Sequence, residues 1–308
     1  MKKTLLRFIL AGLALSFFAC ASPQKEKLLS NYKPQFSGNF SPISIPLEPT
    51  YKPALLKFTA SGAVYVQLYG KEEGFFEFSM SGKYQVSRLG DNLLWVLDVN
   101  EANVGNTKVR DEISIYHAKM LSDTYGRIRE FDISSPAIES GRVKLQDSKQ
   151  TYQEWLEAIR KEVSRSSAIM SVLPDKPVRT GDIFFKMPLL DIIEPIVSAI
   201  ALTGSEKEQI RKWAIENPFQ WILKGKTFFN GREVLLVSCD RVVNEEKVLS
   251  FDKVHLSGFG YQHIDMETSQ TLFMEFLFNA SAESQSKTVG DGKIHYRGSI
   301  THTAELLK

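Results

Sequence analysis

His263-x-Asp265 is the pair in this chain whose residue types and spacing come nearest to catalytic chemistry. Residues two apart share one face of a strand, and a carboxylate beside an imidazole can orient it for acid–base work. Such a pair also needs a nucleophile within hydrogen-bond reach, and Ser257 and Ser269 are the serines nearest to it in the chain. Nothing in the spacing brings either close. The plainer expectation is that His263 and Asp265 decorate the solvent face of one strand. His117, His255, His295 and His302 complete the histidines, and the seven-residue interval from His295 to His302 puts those two on opposite strand faces. The chain contains no HExxH, CxxC, GxSxG, P-loop or GxGxxG pattern. The sequence therefore assigns no catalytic residue, no metal ligand and no cofactor, and the expectation is a protein that is not an enzyme.

Sulfur chemistry is the exception. Lys2, Lys3 and Arg7 precede an apolar run from Phe8 to Phe18, and Ala19, Cys20 and Ala21 follow. A positive start, a short apolar core and small residues make an export signal, with a core too short to span a bilayer. Ser16-Phe17-Phe18-Ala19-Cys20 resembles a bacterial lipobox: Ala19 and Cys20 match, and Phe17 stands where lipoboxes favour Leu. The resemblance implies that Cys20 is lipidated and becomes the new N-terminus, so that the protein is partnered to a membrane through that lipid. Ala rather than Asp at residue 21 implies, by the same resemblance, sorting to an outer membrane and exposure to the periplasm. The alternative uses Ala19-Cys20-Ala21 as an A-x-A site, which discards Cys20 and frees the protein into the periplasm. Cys239 lies in the apolar run Val234 to Cys239 and is expected to be a buried strand cysteine. With Cys20 lipidated, no internal disulfide can form, and stability must come from a hydrophobic core.

Removing Lys2, Lys3 and Arg7 takes the formal charge from +2 to −1. Both signs alternate along the chain without blocks, which argues against nucleic acid and against a polybasic membrane patch. Residues 1–20 thus form the signal, and residues 21–50, rich in Pro, Ser, Lys and Asn, read as a flexible tether. Residues 51–308 form a β-rich domain with a helical insert at about 151–217. Asn39-Phe40-Ser41 and Asn279-Ala280-Ser281 match the glycosylation triplet, read here as polar loops.

From Leu55 the apolar period is two. Val64, Val66 and Leu68 alternate with Tyr65, Gln67 and Tyr69, and Phe75 to Met80 forms a second run that Gly82 is expected to break. Lys83–Leu89 pairs with Leu93–Val99 through Gly90-Asp91-Asn92, and Ile113, Ile115 and His117 share a face. Helical spacing then appears at Tyr152, Leu156, Ile159 and Val163, again from Leu189 to Leu202, and after Ser205-x-x-Glu208, read as a capping box. Strands resume at Phe219 and continue through the hairpin signal Asn230-Gly231 to Thr303. Gly90-x-x-Leu93 and Gly231-x-x-Val234 open similar strand units, an echo that either two similar halves or the general monotony of hairpins produces.

A long antiparallel sheet interrupted by helices, behind a lipobox, resembles the half-barrel families of the bacterial envelope, which include lipoprotein carriers and receptors of outer-membrane sorting. Leu173-Pro174-Asp175-Lys176-Pro177-Val178-Arg179-Thr180-Gly181-Asp182 also resembles an entry segment of uncharacterised members of such groups. The resemblance implies a mainly β (α+β) fold, a curved antiparallel sheet or half-barrel with helices inserted in mid-chain, and transfers no functional residue. Strands apolar on both faces, such as Leu272 to Phe278, must be covered on both sides. A filled core is one outcome. The other is a cavity for an apolar ligand, a lipid or the acyl chain of a lipoprotein, walled by Phe76, Phe78, Met80, Trp95, Met274, Phe276 and Phe278, with Ile193 and Ile200 on a covering helix. The alternative function is a structural lipoprotein that presents a surface to an envelope protein.

Overall fold

The computed structural model describes residues 23–30, 32–68, 71–104, 107–110, 115–140, 172–199, 203–248, 251–284 and 292–307. The expected signal, and the helix expected over Tyr152 to Val163, lie outside the described residues. In chain order the elements are α1 (Pro23–Leu29), β1 (Ala54–Leu68), β2 (Lys71–Leu89), β3 (Asn92–Val104), β4 (Thr107–Arg110), β5 (Tyr116–Ser122) and β6 (Ile128–Ser134). Then come α2 (Pro136–Glu139), β7 (Ile183–Met187), α3 (Leu189–Ala199), α4 (Gly204–Glu216), β8 (Phe219–Phe229), β9 (Arg232–Val248), β10 (Phe251–Asp265), β11 (Thr271–Ser284) and β12 (Gly292–Leu306).

The twelve strands among the described residues form one open antiparallel sheet, ordered β6-β5-β3-β2-β1-β12-β11-β10-β9-β8-β7, with β4 paired to β3. Each half of the chain is a meander, and the join is the long β1–β12 pair, in register from Leu56↔Leu306 to Gln67↔His295. The tight turns sit where the sequence places them. Asn230 and Gly231 both take positive φ, 49° and 78°, which is the two-residue hairpin turn whose twist matches the strands it joins. Gly82 does not end a strand. β2 runs through it, and a bulge there lets the Asp98 carbonyl come within 1.9 Å of where a Cβ would stand.

The sheet is strongly curved, and the chain itself measures the curvature. The extended segment between Leu173 and Gly181 is hydrogen-bonded to Tyr125, beyond β5, at one end, and to Leu223 of β8 at the other. Eight residues reach at most ~28 Å, whereas eight strand spacings on a flat sheet would separate β5 from β8 by ~38 Å. The sheet must bend toward the segment. That segment is the Pro-rich stretch singled out in the sequence: it pairs Val178 with Leu47 and feeds β7.

The inner face holds the main core. Val86, Trp95, Met120, Trp221, Val237, Leu256, Phe276, Phe278 and Tyr296 are all buried in it. Leu189, Ile193 and Val197 line one stripe of α3 at four-residue spacing and join this core, as do Ile210 and Ala214 of α4. The Arg211 guanidinium clamps the Glu194 carboxylate through two bonds, of 2.9 and 2.7 Å, and ties α4 to α3. α4 is capped two residues earlier than Ser205-x-x-Glu208 suggests. Its capping box is Thr203 with Glu206, and Gly204 is its first residue.

The outer face is covered as well, by residues expected to form a tether. Leu28 of α1 is buried with Ala63, Phe75 and Leu277, and Phe36 packs on Tyr261 and His263. Ser41 then pairs with Lys226 at the margin of β8, beyond the reach of β7. From there the segment turns to the inner face, where Tyr51 meets Trp95 edge-on at 5.0 Å. Residues 23–52 therefore cross from one face of the sheet to the other, in contact with both. This second cover is why β11 is apolar on both sides.

Candidate apolar pocket

One apolar pocket lies between the helix pair and the inner face of the sheet. Leu189, Ile193 and Val197 of α3 and Ile210 and Trp213 of α4 form its roof; Val254 and Leu256 of β10, Ala280 and Ala282 of β11, and Ile294 and Tyr296 of β12 form its floor. Phe251 also lines it, and His255 and Ser281 are its polar members. The space follows from side-chain size. Further along β11, Phe276 and Phe278 fill the gap above the sheet; at Ala280 and Ala282 only methyl groups stand there. The Trp213 indole donates to Glu245 at 3.2 Å, so the roof is also fixed to β9.

The pocket encloses about 80 Å³. That is less than the ~150 Å³ of a dry apolar cavity able to take benzene. At that volume the pocket as it stands is too small for a whole acyl chain.

Of the residues expected to wall a cavity, Ile193 lines this pocket. Phe276 and Phe278 are buried in the adjoining core, Phe276 against Phe219 and Trp221 at 5.4 Å each, and Phe278 against Tyr296 at 5.1 Å. Met274 is half-buried beside them and accepts from the Gln262 amide at 3.0 Å. Trp95 is buried toward the far end of the same core, its indole donating to Ser122 at 2.9 Å. Phe78 and Met80 lie half-buried on β2, where Phe78 rests over Gly62. Ile200 and the Phe76 side chain lie outside the described residues. The floor residues Val254, Ala280, Ala282, Ile294 and Tyr296 were not singled out by the sequence. Small residues interrupting an aromatic strand face were the one available signal.

His263 and Asp265 depart from the sequence reading, because neither faces solvent: they are 4% and 1% exposed. Their strand face is covered by the N-terminal segment. His263 stands in a ring of Phe36, Phe229, Tyr261 and Phe273, and neither of its ring nitrogens has a hydrogen-bond partner. Burial pushes its pKa down to about 4, so the imidazole is neutral at physiological pH. Asp265 turns away from it, accepting from Arg232 at 2.6 Å and from the Thr268 hydroxyl and amide at 2.7 and 2.9 Å. The carboxylate supports a turn and an ion pair and does not orient the imidazole.

Cys239, His302 and Asn279 are held within the sheet. Cys239 is buried, and burial pushes its thiol up to about 12, which leaves it unreactive. His302 lies on the inner face, stacked on Phe58. Asn279, expected in a loop, is a residue of β11 and accepts from Arg297. Among the described residues no group of His, Cys, Asp and Glu is placed to hold a metal ion, and no helix is long and apolar enough to cross a membrane.

No family model matches this chain, and no curated protein matches it. Among solved structures, one of lipovitellin, described by the words "lipid-protein interactions in lipovitellin", superposes with a TM-score of 0.39 at 6% identity. The match covers 83% of this chain and 25% of that one, so the chain spans a quarter of that protein's length.

Proposed function

We propose that this chain is a non-enzymatic lipoprotein of the bacterial outer membrane, anchored through Cys20 and facing the periplasm, that binds the acyl part of a lipid or lipoprotein under its helix pair. The observation that carries the reading is the pocket itself: a space lined almost wholly by apolar side chains, roofed by two helices and floored by alanines where neighbouring positions carry phenylalanines. Each methylene buried there stabilises a complex by about 0.8 kcal/mol. Binding of a few methylenes is therefore weak unless the roof opens to admit more.

The test is a titration of the full chain with cis-parinaric acid, an apolar chain with intrinsic fluorescence, followed by displacement with palmitate. Saturable binding at one site per chain is expected, lost on Ala282→Phe, which fills the floor. A wild-type protein that takes up no probe, or a folded Ala282→Phe variant that binds as wild type does, overturns it. That outcome favours the interaction lipoprotein, for which Ile183 on edge strand β7 and Ile215 on the outside of α4, 40% and 60% exposed, are the surfaces to crosslink.

A further inference from the structure

The anchor and the fold meet at α1. Cys20 stands three residues before Pro23, the first residue of α1. Extended chain spans at most ~3.5 Å per residue, so the Cα of Cys20 lies within ~11 Å of that of Pro23 whatever path the chain takes. α1 in turn is fixed to the outer face of the sheet. Leu28 is buried among side chains of β1, β2 and β11, Lys27 pairs with Glu275 at 2.8 Å, and Arg297 of β12 donates to the Leu29 carbonyl. A lipid on Cys20 therefore has no tether behind it. It would be joined almost directly to the folded domain, and always at the same place on it.

The surface at that place suits a bilayer interface. Leu29 and Tyr32 are 40% and 37% exposed, an aliphatic and an aromatic side chain side by side with lysines. Lys27 stands over the Tyr32 ring at 4.3 Å and Lys33 over the Phe259 ring at 4.1 Å. With Lys25 and Arg297 these cations offset Glu275 and Glu77 on the same face. Exposed apolar and aromatic groups interleaved with basic ones are what the headgroup region accepts, and basic groups near an anionic leaflet are attracted to it.

We infer that the outer face of the sheet around α1 lies against the bilayer holding the Cys20 lipid, so that the inner face, with its helix pair and pocket, is turned away from that membrane. The inference rests on the reading of Cys20 as the lipidated residue. Its consequence is that the pocket does not draw ligand sideways out of the anchoring leaflet; it exchanges with whatever approaches from the aqueous side.

The experiment uses the full chain purified from bacterial membranes, with intact mass read first. Leu29→Cys and Ile215→Cys variants are labelled with a nitrobenzoxadiazole maleimide; the buried, unreactive Cys239 does not compete. The labelled proteins are placed in vesicles of phosphatidylethanolamine and phosphatidylglycerol containing a nitroxide-bearing phospholipid. The expected result is a lipid-sized mass on Cys20, strong loss of emission at residue 29, and none at residue 215 on the outside of α4. Lipid on Cys20 with no loss at residue 29, or with equal loss at both positions, overturns the docked orientation and leaves the lipoprotein reading standing. Absence of lipid on Cys20 overturns both.

Discussion

Phe36 meets His263 edge-on, with ring centroids 5.4 Å apart and planes at 88°, so a residue of the N-terminal segment closes an aromatic ring around an unpartnered imidazole. This gives the fold a predictable response to acid. The unfolded chain takes up this proton near the ordinary value of 6.5, the folded chain only near 4. Between those values the unfolded state binds more protons, so stability falls as pH falls; below the lower value the two states are alike and the loss stops. The interval corresponds to a loss of roughly 3 kcal/mol. His263→Phe should remove most of this dependence and stabilise the protein at mildly acid pH. Urea unfolding of both forms at neutral pH and near pH 4.5 reads it directly. Equal acid losses in the two forms would show that the imidazole is hydrated.

Arg232 and Asp265 form an ion pair between β9 and β10 of which only the carboxylate is buried. The carboxylate is 1% exposed at its side chain and the guanidinium 38%. Burial alone would raise the Asp265 pKa, yet the hydrogen bonds from Arg232 and Thr268 prevail and hold it below the ordinary carboxylate value. Arg232→Ala leaves that charge buried with only Thr268 to support it. Breaking one side of a fully buried pair costs about 3–5 kcal/mol; with the guanidinium 38% exposed and the Thr268 bonds kept, the expected loss is about 2 kcal/mol. Adding Asp265→Asn to Arg232→Ala should recover part of it. A single-variant loss below about 1 kcal/mol would mean that water replaces the arginine.

These two relations show which parts of the molecule can be read from residues alone. The hairpins at Gly90 and Asn230-Gly231 are local properties and sit where the sequence reading places them; the two-residue period marks β8 to β12 but not their far ends, which run on to Val248, Ser284 and Leu306. Gly82, expected to break its run, lies inside β2, because a glycine in an apolar run also marks a close backbone approach and only the partner strand decides. Residues 23–52 carry no period because they run across strands, not along them. Leu28, Phe36, Ile43 and Tyr51 each fill a separate site, at intervals set by the sheet beneath. The pocket was hidden for a similar reason. Phe276 and Ala280 share one strand face, and which of them borders a void depends on what α3 and α4 bring to it.

Gly258 tests the packing of that face. A Cβ there would lie 2.3 Å from the Phe219 ring, which is fully buried and cannot withdraw. Gly258→Ala should therefore destabilise by overpacking, by about 1–3 kcal/mol, despite the usual gain from replacing glycine. Gly204, the first residue of α4, has nothing within 4 Å of its Cβ position, and Gly204→Ala should be neutral or slightly stabilising. Thermal midpoints of the two variants separate the effects, and similar midpoints would indicate that Phe219 has another rotamer available.

The roof of the pocket is where stability and ligand entry become one question. α3 and α4 are joined by the Arg211–Glu194 clamp, whose side chains are 28% and 25% exposed, and α4 is nucleated by Thr203 and Glu206. Thr203→Ala removes the cap and costs about 1 kcal/mol, confined to the first turn of α4. Arg211→Ala frees the two helices to move apart while leaving their buried stripes intact. If entry requires the roof to lift, Arg211→Ala should speed uptake of cis-parinaric acid more than its loss of stability alone explains, and Thr203→Ala should speed it less. Stopped-flow fluorescence at matched stability, set by temperature, makes the comparison. Equal uptake rates in the wild type and both variants would place the entrance elsewhere than between the helix pair and the sheet.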